Sequence, residues 1–199
     1  MKNIGVFLDR DGVLNRLIYH REAGVVDSPF SARQFKLLTG AARAVRELNR
    51  LGLAVAVTSN QPGIAKGHFT QRDLDEMTAK MTRSLASRGA CLDGVYYCLH
   101  HPDARKARYR ARCGCRKPRP GLLREAAREL GVDLRRSFMV GDSIVDVQAG
   151  KAAGCTTVYL GNWKCDICRH MQAKKVKPDY IARDIMDAVR IVKNILLRR

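Results

Sequence analysis

The chain has 199 residues, 46% of them hydrophobic, with 37 Lys and Arg against 19 Asp and Glu for a formal charge of +18. That length and apolar content suit one domain with a full core and argue against disorder, and no apolar run is long enough to span a bilayer. Seven cysteines in a chain whose MKNIGVFLDRDG start does not read as an export signal favour a cytoplasmic protein with thiols free or on metal, and the basic excess favours anionic partners.

In chain order, Ile4–Leu8 (IGVFL) reads as a short buried strand. A helix is predicted over Ala41–Leu51, ending at Gly52, and a second strand over Leu53–Thr58 (LAVAVT). Thr70–Arg88 reads as a helix opened by a capping Thr and an early Asp73. A strand at Gly94–Cys98 follows, then a helix over Leu122–Leu130 and a strand over Ser137–Val140. A helix over Ile144–Ala153, a strand at Thr156–Leu160 and a helix over Asp184–Leu197 complete the pattern. Alternating strands and helices predict a single α/β domain over residues 1–199 with a mostly parallel sheet. Arg16–Phe35 and Leu99–Pro120 fit no element, and loops of that length are usually functional.

Ligands of such sheets bind beyond the carboxyl ends of the strands, and the chemistry collects there. The first strand ends FLDRDGVLN. If the extended geometry continues, Asp9 and Asp11 share a side. One carboxylate can attack phosphorus while the other carries a proton. Two such neighbours repel unless a cation sits between them, which points to Mg²⁺. TSNQPG offers the Ser59 hydroxyl and the Asn60 and Gln61 amides to phosphoryl oxygens. Lys117 stands just before a helix, and VGDSIVD sets Asp142, Ser143 and Asp146 at the start of another.

This ordered set resembles the haloacid dehalogenase-like phosphohydrolases across nearly the whole chain. The resemblance implies a Rossmann-like fold with helices on both faces of the sheet and no large cap domain. It implies that Asp9 is phosphorylated and that Asp11 protonates the leaving group and then activates water. Mg²⁺ would be held by Asp9, the main-chain carbonyl of Asp11, and Asp142. Ser59 and Lys117 would hold the phosphoryl group, with Asp146 orienting Lys117.

The segment YCLHHPDARKARYRARCGCRKPRPG carries Cys98, Cys113 and Cys115 with two adjacent histidines, His100 and His101. Three thiolates and one imidazole suit tetrahedral zinc on a loop of about residues 98–115. The segment also resembles the zinc loop of the histidinol-phosphate and heptose-bisphosphate phosphatase subfamily, and that resemblance selects His100 as the fourth ligand. The loop is expected to cap the site and to set Arg116 over the substrate. Cys91 and Cys155 are expected in the core, His20 and His68 on loops, and Lys174, Lys175 and Lys177 on a solvated surface. Cys165, Cys168 and His170 form a pair-plus-histidine without a visible fourth ligand. The expectation is a monomeric phosphomonoesterase acting on a small sugar phosphate, D-glycero-D-manno-heptose 1,7-bisphosphate losing its 7-phosphate. Histidinol phosphate and a nucleic-acid 3′ end are the other enzymatic substrates to weigh. A basic zinc module that binds nucleic acid without catalysis is the rival of another class.

Overall fold

The computed structural model describes residues 3–161 and 171–198; Cys165, Cys168 and His170 lie outside them. A six-stranded, wholly parallel sheet runs through the molecule. Its strands in chain order are β1 (Gly5–Leu8), β4 (Ala54–Asn60), β5 (Gly94–Cys98), β6 (Phe138–Gly141), β7 (Thr156–Leu160) and β8 (Tyr180–Ala182). Their spatial order is β5-β4-β1-β6-β7-β8. The helices are α1 (Ala41–Arg50), α2 (Gly63–Lys66), α3 (Gln71–Ala86), α4 (Gly121–Leu130), α5 (Ile144–Ala153) and α6 (Ile185–Leu197).

Period-two alternation divides the core between the two faces. Val6, Leu8, Val55, Val57 and Val140 pack with α1, α3 and α6 through Val45, Met77, Met81 and Val189. Phe7, Ala56 and Met139 point the other way, onto Leu123 and Ala126 of α4 and Ala149 of α5. β1 is buried along its whole length because it sits mid-sheet with helices on both sides.

From β1 the chain builds outward through β4 to β5 and then returns to lay β6 on the other flank of β1. The reversal places the topological switch point, where open α/β sheets bind ligands, at the carboxyl end of β1. Local signals set the helix ends. Thr70 Oγ1 accepts from the Asp73 amide at 3.2 Å and Asp73 Oδ2 accepts from the Thr70 amide at 2.8 Å, a closed capping box at the head of α3. Gly131 and Gly154 end α4 and α5 in the left-handed region, with φ of 65° and 87°.

Four short strands and helices lie where the sequence pattern shows none. Arg16–Phe35 holds an antiparallel hairpin of β2 (Ile18–His20) and β3 (Val25–Asp27). The other two are the four-residue α2 and the edge strand β8. Each is three or four residues long, too short for hydrophobic periodicity to register.

Candidate active site

At the end of β1 the chain leaves the strand and folds into a tight turn. The Leu14 and Asn15 amides both donate to the Arg10 carbonyl, at 2.8 and 3.1 Å, and Gly12 takes φ +79°. Gly12 has a second constraint. A Cβ there would meet Asp142 Oδ2 at 1.8 Å, so the backbone of one motif rests on the carboxylate of another.

Asp9, at the strand tip, is joined by Lys117 from the loop before α4 and by Asp142 and Asp146 from the β6–α5 junction. Carboxylate oxygens of Asp9, Asp142 and Asp146 all lie within 4.8 Å of one another. Lys117 Nζ is 2.5 Å from Asp146 Oδ1 and 3.2 Å from Asp9 Oδ1, and it donates to the Thr58 carbonyl at 2.8 Å. The Lys117 and Asp146 side chains are each 1% exposed. Burial works against the Lys117 ammonium, but Asp146 and then Asp9 more than offset it and hold its pKa above the ordinary lysine value. Asp146 Oδ2 accepts from the Ser143 hydroxyl at 2.6 Å and its amide at 3.1 Å, so this carboxylate is fully engaged inside the protein.

Asp142 is the under-compensated member. Burial first, then Asp9 and Asp146, pushes its pKa up to about 8. Three crowded carboxylates face one ammonium. A hard divalent cation with oxygen ligands fits that donor set and removes the repulsion. Asp142 and Asp9 are the better placed to take it: Asp9 engages Lys117 and the Arg10 amide through Oδ1 alone, whereas Asp146 serves Lys117 and Ser143 through both oxygens.

Asp11 stands apart from this cluster. Its carboxylate accepts from Arg10 Nη2 at 3.1 Å, from Asn15 Nδ2 at 2.8 Å and from Gln61 Nε2 at 2.6 Å. Part of the neutralisation that the Asp9 and Asp11 pair was expected to take from a cation comes from within the protein. β1 ends at Leu8, the turn diverts the chain, and Arg10 supplies the countercharge to Asp11. Arg10 was not singled out from the sequence. Its signal, a cation between two acids at the end of a buried strand, is legible only once that strand is known to be central.

The second motif is placed by β4. Ser59 and Gln61 are each 1% exposed, and Gln61 Nε2 also donates to Ser59 Oγ at 3.1 Å. Asn60 closes a reciprocal pair with the Lys117 main chain, Nδ2 to the carbonyl and the Lys117 amide to Oδ1, both at 3.0 Å. The Asn60 amide, a candidate for phosphoryl oxygens, is engaged by the Lys117 backbone, and the Ser143 hydroxyl, a substrate-binding candidate from the same sequence pattern, donates to Asp146. Arg116 donates to the His100 carbonyl at 3.1 Å. With Arg112, Lys117, Arg119 and Pro102 it lines an open pocket of about 190 Å³.

Beside that pocket the Cys98, Cys113 and Cys115 sulfurs are 3.2–3.5 Å apart, and His100 Nδ1 is 3.7 Å from Cys115 Sγ and 4.0 Å from Cys98 Sγ. Tetrahedral zinc with bonds of about 2.3 Å sets sulfurs about 3.8 Å apart, so this cluster could hold such an ion after slight expansion. His101 turns away, accepting from the Asp103 amide at 3.1 Å. Cys155 is buried as expected, and burial pushes its thiol up to about 12. Cys91 is exposed, against expectation: its neighbours Ala90 and Leu92 pack into the core, and the residue between them points to solvent. His20 and His68 sandwich Phe30, with ring centroids at 3.7 and 4.7 Å, so the stack ties the β2–β3 hairpin to the loop after α2. Lys174, Lys175 and Lys177 are solvent-exposed. Among the described residues, no helix is long and apolar enough to cross a membrane.

Comparison with known proteins gives a consistent result. A HAD-hydrolase-like family model matches residues 114–188. The D-glycero-beta-D-manno-heptose-1,7-bisphosphate 7-phosphatase of Pasteurella multocida is 37% identical over 190 residues, 96% of this chain and 97% of that one. The protein of that name from Photorhabdus laumondii is 44% identical over 155 residues, 78% of each chain. The crystal structure of D,D-heptose 1.7-bisphosphate phosphatase from B. bronchiseptica, complexed with magnesium and phosphate, superposes with a TM-score of 0.76 at 32% identity over 100% of both chains. With the four strand-end motifs gathered at one switch point and relatives of this extent, the chain belongs to the HAD-like phosphatase family and is a phosphoric monoester hydrolase.

Proposed function

We propose that this phosphatase removes the 7-phosphate of D-glycero-D-manno-heptose 1,7-bisphosphate. The observation that carries the reading is a basic pocket next to the reaction centre. Lys117 and the Asp9 tip form that centre, and the pocket whose lining includes Lys117 also takes in Arg112, Arg116 and Arg119. A substrate with a second phosphate uses both. The relatives named for heptose bisphosphate point the same way.

In this reading an Asp9 carboxylate oxygen attacks phosphorus and the phosphorus–oxygen ester bond breaks. The leaving oxygen takes a proton from the Asp11 carboxyl. Asp11, now a carboxylate, then takes a proton from water as that water attacks the aspartyl phosphate. The bond from phosphorus to Asp9 breaks and inorganic phosphate departs. Lys117 and Ser59 hold the phosphoryl oxygens, Gln61 links Ser59 to Asp11, and Asp146 with Asn60 keeps Lys117 in place. Asp9, Asp142 and the main-chain carbonyl of Asp11 would hold Mg²⁺, which when bound supplies charge neutralisation for the phosphoryl group. Cys98, His100, Cys113 and Cys115 would hold structural zinc, tying the loop that ends in Arg116 and Lys117. A cluster of reduced thiols suits the cytoplasm. We read the enzyme as a monomer acting on a small sugar phosphate rather than on nucleic acid.

A phosphate-release screen tests this. It compares heptose 1,7-bisphosphate, histidinol phosphate, simple sugar monophosphates and 3′-phosphorylated DNA. The bisphosphate is expected to give the highest kcat/KM. A preference for histidinol phosphate or for the DNA end overturns the substrate assignment.

A further inference from the structure

Arg10 lies between the two acids of the first motif, and its side chain is 0% exposed. Its guanidinium Nε and Nη2 reach both oxygens of Asp11, at 3.3 and 3.1 Å. The central carbon of the guanidinium sits 5.6 Å from the centre of the Tyr97 ring, on β5. Tyr97 in turn is anchored by its hydroxyl, 3.1 Å from Thr78 Oγ1 on α3. Asn15 and Gln61 grip the same carboxylate from other directions, at 2.8 and 2.6 Å. The Asp11 side chain remains 13% exposed, so it is fixed without being sealed.

A buried ion pair contributes little net stability, because desolvation consumes most of the attraction. What this pair does supply is orientation. A planar fork held on an aromatic face sets the plane of the Asp11 carboxyl in a way a flexible amine does not. We infer that Arg10, backed by Tyr97, is a positioning residue for Asp11, holding it for proton transfer to the leaving oxygen. The inference rests on the reading of Asp11 as general acid and base. It reaches beyond that reading by assigning the alignment to the residue between the two aspartates and, through Tyr97, to α3.

The test uses the leaving group as the readout. An alkyl phosphate needs a proton on its departing oxygen, whereas p-nitrophenolate leaves without one. The parameter kcat/KM covers steps only through phosphoryl transfer to Asp9, so leaving-group effects appear there. Hydrolysis of the aspartyl phosphate is common to both substrates and appears in kcat. Arg10→Met is expected to lose about 10²-fold in kcat/KM on a sugar phosphate but only a few-fold on p-nitrophenyl phosphate. Arg10→Lys is expected to fall between it and the wild type. Misfolding lowers both rates by the same factor, so the ratio of the two substrates isolates positioning from structure. Asp11→Asn serves as reference. If Asp11→Asn is selective for the sugar phosphate and Arg10→Met is not, the inference on Arg10 is wrong. If Asp11→Asn itself lowers both rates equally, the acid–base reading falls and the Arg10 inference with it.

Discussion

Gly12 offers the cleanest single-atom probe of the site. Replacing it by alanine adds one methyl group at φ +79°, 1.8 Å from Asp142 Oδ2. Ordinary contact begins near 3.4 Å, so the carboxylate has to retreat by about 1.6 Å. Asp142 is half-buried and crowded by Asp9 and Asp146, and that retreat takes it out of the cluster. The backbone penalty for a non-glycine residue in the left-handed region is about 1–2 kcal/mol. In a chain of this size that lowers Tm by roughly 2–8 °C. Gly52→Ala is the control. It has φ +73° with nothing within 4 Å of the added carbon, and it lies between α1 and β4, at the opposite end of the sheet. The two variants share the strain, so their Tm losses are expected to be similar. Their activities are expected to part. Gly52→Ala keeps wild-type kcat/KM. Gly12→Ala loses about 10²-fold, the scale of a ligand misplaced by an ångström or more, and needs more Mg²⁺ for half-maximal rate. Thermal unfolding and Mg²⁺ titrations of phosphate release measure both. A Gly12→Ala enzyme within a few-fold of wild type at low Mg²⁺ would refute the claim that Asp142 must stay where the glycine lets it sit.

Three further outcomes are expected. Asp9→Asn abolishes steady-state turnover with an unchanged circular dichroism spectrum, since an amide of nearly the same shape cannot form the acyl phosphate; turnover in a deamidation-free preparation removes Asp9 as nucleophile. The purified protein carries about one zinc per chain, and Cys113→Ser loses it; elemental analysis showing full zinc in that variant refutes the ligand set. Arg116→Ala costs about 1.5–3 kcal/mol in kcat/KM on a bisphosphate, whereas neutralising Lys174, Lys175 and Lys177 together changes it only slightly; the reverse order of effects would favour a polyanionic substrate.

Five of the six strands of the sheet and the five long helices among the described residues were legible because each carries a signal stronger than its neighbours. β1 is a continuous apolar run, α3 has its Thr70/Asp73 box, and α4 and α5 each stop at a glycine. The motif residues were legible because they fall at those ends, and the geometry brings Asp9, Lys117, Asp142 and Asp146 together as strand order requires. What escaped was short or depended on side chains meeting through space. The β2–β3 strands have three residues each, so alternation never completes. Nothing local to RDG says that Arg10 turns inward onto Tyr97, 87 positions later. The engagement of Asn60 with Lys117 likewise joins residues 57 apart in sequence. Sequence gives the kind of group at a strand end; which partner it spends its hydrogen bonds on is decided by packing.

The Asn60–Lys117 pair has an architectural corollary. The segment from Cys98 to Lys117 departs beside Asn60, whose strand partner is Cys98, and returns beside Asn60. Both feet of the excursion therefore stand on one residue, which fixes where the chain leaves and re-enters the reaction centre. Lengthening such an excursion costs little, about 0.6 kcal/mol for each doubling, provided the feet stay pinned. Between His101 and Arg112 only Ala104 and Tyr109 bury apolar side chains against the body, and the Lys106 amide donates to the Ala65 carbonyl, so changes in length there are cheapest at the exposed positions between those contacts.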